Sequence, residues 1–246
     1  MPKAFFIDTS RCTACRGCQV ACKEWKNLPG SQTKQTGSHQ NPPDLDANTL
    51  RLVRFHEYRT PEGKVVWNFF SDQCRHCLEP PCRDVGNEYA NGSVVVDEAT
   101  GAVTYTDLIK NLSDEQFDEL QQGCPYQIPR RDQKTKMIRK CDMCNDRVKN
   151  GLLPMCAKAC PTKAINFGER DEMLALAQQR LDVLKKEFPE AQLLDADFFN
   201  VIYLITDKPE LYNAQLVAHA SFGITRKQAL AKLLSPFRTI QSTINS

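Results

Sequence analysis

An α+β fold of short strands and helices wrapped around grouped cysteines is what this sequence predicts, and three observations predict it. Twelve cysteines stand in a chain of 246 residues, at 12, 15, 18 and 22, at 74, 77 and 82, at 124, and at 141, 144, 156 and 160. Brief apolar runs such as "SVVVDEATGAVTY" and "NVIYLITD" are bounded by turn residues and read as strands. Two further stretches, "SDEQFDELQQG" and "RDEMLALAQQRLDVLKKEFPE", have helical periodicity.

The bulk numbers narrow the function classes. The length suits one large or two small domains. A formal net charge of +2 gives no electrostatic ground for nucleic-acid binding. The opening "MPKAFFIDTSRC" has too short an apolar run for a secretory signal, and "VIYLI" falls far below the roughly 18 residues that cross a bilayer. The expectation is a soluble chain with no membrane span and no export signal of its own.

Cysteine spacing decides what the elements surround. Cys-x-x-Cys recurs in three of the groups, and two intervening residues let both thiols face one site. "CTACRGCQVAC" is the Cys-x2-Cys-x2-Cys-x3-Cys run in which three thiolates cap one [4Fe–4S] cube and the fourth serves another. Applied throughout, that rule closes three cubes: Cys12, Cys15 and Cys18 with Cys160; Cys141, Cys144 and Cys156 with Cys22; and Cys74, Cys77 and Cys82 with the lone Cys124 of "ELQQGCPYQIP". Zinc is the first alternative, but it wants two pairs, and the unbroken run 12, 15, 18, 22 suits it poorly. Six disulfides are the second; a chain this long does not need such staples, and adjacent pairs strain their geometry.

The remaining elements follow in chain order. Residues 24–73 form an insertion whose "NLPGSQTKQTGSHQNPPDL" is rich in turn residues, while "TLRLVRFHEY" and "KVVWNFF" look like two strands. Such a loop either serves a partner or is a mobile surface segment. "SVVVDEATGAVTY" predicts a hairpin. "SDEQFDELQQG" predicts a short helix with Ser113 as N-cap, Gln116 completing a capping box and Gly123 at the stop, so that Phe117 and Leu120 share a face. In "RDEMLALAQQRLDVLKKEFPE", Met173, Ala177, Leu181, Leu184 and Phe188 fall on one helical face. "NVIYLITD" reads as a strand, and "TRKQALAKLLSPF" as a helix capped by Thr225 and Gln228 and ending before Pro236. These last elements either pack on the cysteine core or embrace a partner. His76 lies between Cys74 and Cys77, but four thiols already complete that cube, so it reads as a hydrogen-bonding neighbour rather than a ligand. His39, His56 and His219 read as surface or loop residues.

Together "SRCTACRGCQVACKEWKNLP", "CRHCLEPPC", "GCPYQIPR" and "KCDMCNDRVKNGLLPMCAKACPTKAINFG" resemble the ferredoxin-type electron-transfer subunits of molybdopterin and tungstopterin oxidoreductases, over about residues 3–168. Within that family "TGSHQNPPDL" looks most like the beta subunits of soluble periplasmic formate dehydrogenases of sulfate-reducing bacteria. The resemblance implies two interlocked 2[4Fe–4S] ferredoxin-like modules with an inserted loop and strand segment and a C-terminal helical extension. Residues 1–23 and 125–168 make the first module, 24–73 the insertion, 74–124 the second module and 169–246 the extension. Most relatives carry a further cluster. Its four ligand positions are here Gly86, Asp114, Phe117 and Leu120, so the expectation is one cluster lost.

The chain offers no nucleophile, acid–base pair, P-loop or Gly-x-Gly-x-x-Gly fingerprint, so it is expected to have no substrate chemistry alone. The resemblance implies a relay through three [4Fe–4S] clusters. Its partners would be a large subunit with a tungsten or molybdenum bis-pterin site, which oxidises formate, and a multihaem c-type cytochrome. It also implies a periplasmic location reached with a signal-bearing partner, against a cytoplasmic alternative. Service to another molybdopterin reductase, acting on sulfur compounds, arsenate or sulfoxides, stays open, as does a free-standing carrier or assembly protein.

Overall fold

The computed structural model of the chain describes residues 2–194, 196–212 and 216. Strand β1 (Lys3–Asp8) is the short apolar run KAFFID. Its alternation sends Ala4 and Phe6 to one face and Phe5 and Ile7 to the other, and all four are buried. Helix α1 (Gly17–Trp25) follows and carries Cys18 and Cys22 one turn apart. After a long irregular stretch, β2 (Leu52–Arg59) and β3 (Val65–Asp72) form a hairpin in register from Leu52↔Asp72 to Arg59↔Val65. These are the two strands expected from "TLRLVRFHEY" and "KVVWNFF".

Helix α2 (Pro81–Tyr89) opens on a proline, which needs no hydrogen-bond partner at the first turn. Strands β4 (Val94–Val96) and β5 (Val103–Tyr105) make the hairpin expected of "SVVVDEATGAVTY". Its turn uses Gly101 at φ 74°, where an added Cβ would lie 2.6 Å from the Asn200 amide nitrogen. Helix α3 (Asp114–Gln122) has the expected capping box: Gln116 N–H donates to Ser113 Oγ at 3.2 Å, and Ser113 N–H donates to Gln116 Oε1 at 2.8 Å. Gly123 is its C-cap. Strands β6 (Arg130–Arg131) and β7 (Ile138–Arg139) form a minimal ladder. Short helices α4 (Asn145–Val148) and α5 (Met155–Lys158) lead to β8 (Ile165–Glu169), α6 (Arg170–Leu184), β9 (Gln192–Leu194) and β10 (Val201–Ile205).

The main sheet has the order β8-β1-β10-β9, with β1 and β10 parallel and the outer strands antiparallel to them. A strand from beyond residue 200 thus sits at the sheet's centre beside the first strand, and the described part of the C-terminal segment packs on the core. One face, with Ala4, Phe6, Ile202 and Leu204, packs against Met173, Ala177, Leu181 and Leu184 of α6. The other, with Phe5, Ile7 and Tyr203, packs against Val53, Phe70 and the loops that carry Cys18 and Cys156. The sheet therefore has a helix on one side and thiols on the other. Phe188 departs from the expected helical face: α6 ends at Leu184 and the Phe188 ring is exposed. Pro189 follows it, and the residue before a proline is pushed out of helical conformation. The helix expected between Thr225 and Pro236, and His219, lie outside the described residues.

A smaller core joins α2, α3 and the β4–β5 hairpin through Val85, Val94, Val103, Ile109, Leu112 and Leu120, with Phe117 packed at its side. Gly86 faces it so closely that an added Cβ would lie 2.6 Å from Val94 Cγ2 and 3.4 Å from Leu120 Cδ1. Alanine would gain about 1 kcal/mol in helix propensity, but forcing a methyl against the stiff side chain of Val94 costs typically ~1–3 kcal/mol. Gly86→Ala is therefore expected to lower the denaturation midpoint of the purified protein. A raised midpoint would show that this core can yield.

Candidate metal centres

The structure gathers the cysteines into three groups. Cys12, Cys15, Cys18 and Cys160 line one cavity, together with Ile7, Val53 and Ser71. Cys74, Cys77, Cys82 and Cys124 line a second, together with Tyr105 and Lys140. Cys22 lies among Cys144, Cys156 and Cys141, close enough for their charges to act on one another. All twelve thiols are free of disulfides. Among the described residues no three His, Cys, Asp or Glu side chains converge closely enough to hold one metal ion. Thiols that line a cavity leave room for a polynuclear group.

The backbone repeats one device along the Cys-x-x-Cys runs. At the Cys-x-x-Cys that opens each group the residue before the second cysteine is left-handed: Ala14 at φ 52°, His76 at φ 49° and Met143 at φ 63°, whereas between Cys15 and Cys18 it is Arg16, at φ 62°. Such a conformation strains a residue with a side chain, and strain of this kind gathers at functional sites. Here it turns an N–H toward the first sulfur. His76 N–H donates to Cys74 Sγ and Met143 N–H to Cys141 Sγ, each at 3.4 Å, and the Ala14 amide bonds to Cys12. Successive inward amides form a concavity for negative charge.

A second device marks the Cys-Pro turns. Gln127 and Lys163, three residues after Cys124 and Cys160, are left-handed at φ 49° and 55°, and each N–H bonds back to its cysteine's carbonyl. Cys124 thus sits in the same turn as Cys160, and Ile128 N–H donates to its sulfur at 3.5 Å.

Burial and mutual repulsion disfavour ionisation of Cys12, Cys22, Cys77, Cys82, Cys124, Cys141, Cys144 and Cys156. Burial, then the neighbouring sulfurs, push Cys22 and Cys124 up to about 12 and Cys12 and Cys156 up to about 11. Cys77 and Cys141 are raised well above the ordinary range for the same reasons. Four thiolates can share such a site only around a multiply charged cation, which is the donor chemistry of an iron–sulfur cluster.

Sequence reasoning missed the buried cations among the thiols. Lys140 Nζ donates to the carbonyls of Val103 and Cys141 and lies 4.7 Å from the Tyr105 ring centre. Burial works against its charge, but the Cys74, Cys82 and Cys141 sulfurs outweigh this and raise its pKa. Arg51 is also buried. Nothing local marks either position, because their partners are sulfurs from other parts of the chain. His76 is fully buried, and its Nδ1 accepts from Val103 N–H at 3.1 Å while Nε2 has no hydrogen-bond partner among the described residues. Burial, with Lys140 and Arg51 nearby, holds it well below its usual range, so the ring is neutral. Its Nδ1 is committed to strand β5. His39 is exposed and His56 half-buried.

The family model of the 4Fe-4S dicluster domain matches residues 65–170. Formate dehydrogenase 2 subunit beta (cytochrome c-553) of Nitratidesulfovibrio vulgaris is 56% identical over 212 residues, spanning 86% of this chain and 97% of that one. Formate dehydrogenase subunit beta of Megalodesulfovibrio gigas is 46% identical over 218 residues, spanning 89% and 100%. The nitrate-inducible formate dehydrogenase iron-sulfur subunit of Escherichia coli is 35% identical over 216 residues, spanning 85% and 71%. The chain belongs to the family of formate dehydrogenase beta, or iron–sulfur, subunits.

Iron must displace protons from these thiols. In the folded, metal-free chain Cys12 and Cys156 are pushed up to about 11 and Cys22 and Cys124 to about 12, against an ordinary value of 9.0, so apparent iron affinity rises with pH over the neutral to mildly alkaline range. The fraction of chain loaded at limiting iron is expected to increase steadily from pH ~7 to ~9. A flat profile would show that the thiols are already ionised. The same shift sets stability. Above pH 9 the unfolded thiols ionise first, so the metal-free fold is expected to weaken as pH climbs from about 9 toward about 12, as read from urea midpoints.

Proposed function

We propose, from membership of that family, that the chain relays electrons through three [4Fe–4S] clusters between a catalytic subunit that oxidises formate and a c-type cytochrome. The ligand sets would be Cys12, Cys15, Cys18 and Cys160; Cys22, Cys141, Cys144 and Cys156; and Cys74, Cys77, Cys82 and Cys124. When bound, each cluster supplies one-electron transfer. The chain's own residues hold the sulfurs, exclude water and set the charge around them. Residues 1–23 and 125–168 would form one module, with α1 against α5. Residues 74–124 would form the other.

The observation that carries the count of three is the surroundings of Cys124. It faces Cys74, Cys77 and Cys82, in the turn that Cys160 also adopts. On the other side, where a further cluster would need ligands at 86, 114, 117 and 120, Leu120 is fully buried and Gly86 has no room for a Cβ. Apolar packing in that space supports the reading that a cluster has been lost.

The partner would be a large subunit with a tungsten or molybdenum bis-pterin site, joined to this chain as a heterodimer. The acceptor would be a periplasmic multihaem c-type cytochrome; the name of the Nitratidesulfovibrio relative includes cytochrome c-553. Three clusters with their thiolates lower the formal +2 by roughly six units, which suits a basic acceptor. No helix of the described residues is long and apolar enough to cross a membrane. In this reading the loaded chain is exported with a signal-bearing catalytic subunit, since bare thiols are at risk in an oxidising compartment.

Two measurements test the reading. Iron and acid-labile sulfide are expected at about twelve of each per chain, and a value near eight, or zinc in their place, sinks it. Cys124→Ser is expected to remove one cluster, about four irons, and leave two. Loss of all iron, or of none, would contradict the assignment of Cys124.

A further inference from the structure

Arg51 lies just before β2 and is 1% exposed. Its buried neighbours show how the fold ordinarily treats such a charge: Arg54 pairs with Asp44 and Asp72, and Arg75 pairs with Asp72. Among the described residues no carboxylate lies within ion-pair distance of Arg51. A buried charge without a counter-ion is costly, so one is expected nearby.

The guanidinium fork points to it. Nη1 donates to Ser71 Oγ at 2.6 Å, and Ser71 Oγ lies 3.6 Å from Cys18 Sγ. Nη2 donates to Gln73 Oε1, which also accepts from Cys141 Sγ at 3.4 Å. One arm therefore leads to the first group of thiols and the other to Cys141, where Gln73 Nε2, without a partner among the described residues, is the group that can donate once that sulfur is deprotonated. Burial opposes the charge of Arg51, and the sulfurs of Cys156, Cys18 and Cys141 more than offset it. The charges acting on Cys77 and Cys82 include Lys140.

We propose that Arg51 is the shared counter-ion of the clusters at Cys12, Cys15, Cys18 and Cys160 and at Cys22, Cys141, Cys144 and Cys156, and that it raises both reduction potentials together. This rests on the relay reading above. An electron arriving at either cluster adds one negative charge, and a fixed cation stabilises the reduced form more than the oxidised one. Guanidinium keeps its proton throughout, so the effect does not vary over the physiological pH range. The fork places one fixed cation beside both clusters, while Lys140 lies between the third and Cys141 of the second.

The test is a redox titration, followed by electron paramagnetic resonance, of the isolated complex with its catalytic partner, after iron and sulfide content has been measured. With Arg51→Met, two of the three one-electron steps that belong to this chain are expected to move to lower potential by roughly tenfold in reduction equilibrium, ~59 mV each, while its third and those of the catalytic partner stay. Arg51→Lys keeps the charge and should restore most of the shift. Ser71→Ala cuts only the arm toward Cys18 and should move one step. Full iron content with unmoved potentials, or three equal shifts, overturns the role of Arg51 alone. If Arg51→Met fails to load, Arg51→Gln, which keeps hydrogen-bonding groups and loses the charge, decides: two lowered steps support the proposal, and none overturns it. A native complex with iron for fewer than three clusters overturns the relay reading beneath it.

Discussion

Sulfur charge in a closed interior is the constraint to which the other features answer. A protonated thiol is content in an apolar core, but four thiolates brought together inside a protein repel one another and have lost the water that would screen them. The raised pKa values of Cys12, Cys22, Cys124 and Cys156 record that conflict directly. The left-handed residues before Cys15, Cys77 and Cys144 aim amides at sulfur, and Arg51 and Lys140 bring fixed positive charge within reach. Backbone strain and buried cations, each unfavourable alone, become compatible with a stable fold because they face the same negative charge.

The sheet and the β2–β3 hairpin act as brackets for this arrangement. Alternation along β1 places Phe5 and Ile7 toward the thiols and Ala4 and Phe6 toward α6, so one strand fixes two layers. A polar stitch closes the other side. Lys26, just past α1, reaches Asp142 at 2.6 Å and Asp146 at 3.1 Å, and Trp25 Nε1 donates to Asp146 at 2.9 Å. Arg147 lies over the Trp25 ring at 4.4 Å. The start of the chain and the loop from Cys141 to Cys144 are thus joined by side chains as well as by their sulfurs.

Local signals in the sequence sufficed wherever local rules decide the structure. The cap of α3 at Ser113 and Gln116, the two hairpins and the buried stripe of α6 all follow from nearby residues. The expected grouping of the cysteines rests on spacing and count. Phe188 failed because the periodicity runs on past Leu184, where the helix ends. Arg51 and Lys140 were invisible because a buried cation is intelligible only beside its counter-charge, and here that charge comes from cysteines distant in sequence. The place of β10 at the sheet's centre was equally hidden, since pairing across the whole chain leaves no mark on either strand.

That pairing has a consequence for how the protein is made. Val201 of β10 pairs with Phe5 of β1, so the first strand lacks its parallel neighbour until some 200 residues have been synthesised. At typical translation speeds of about 5–20 residues per second the wait is roughly 10–40 s. Cys12, Cys15 and Cys18 emerge early as well, while Cys160 follows only some 140 residues later. A nascent chain of this kind exposes an aromatic strand and reactive thiols together for most of its synthesis, and the cell must shelter both before the fold can.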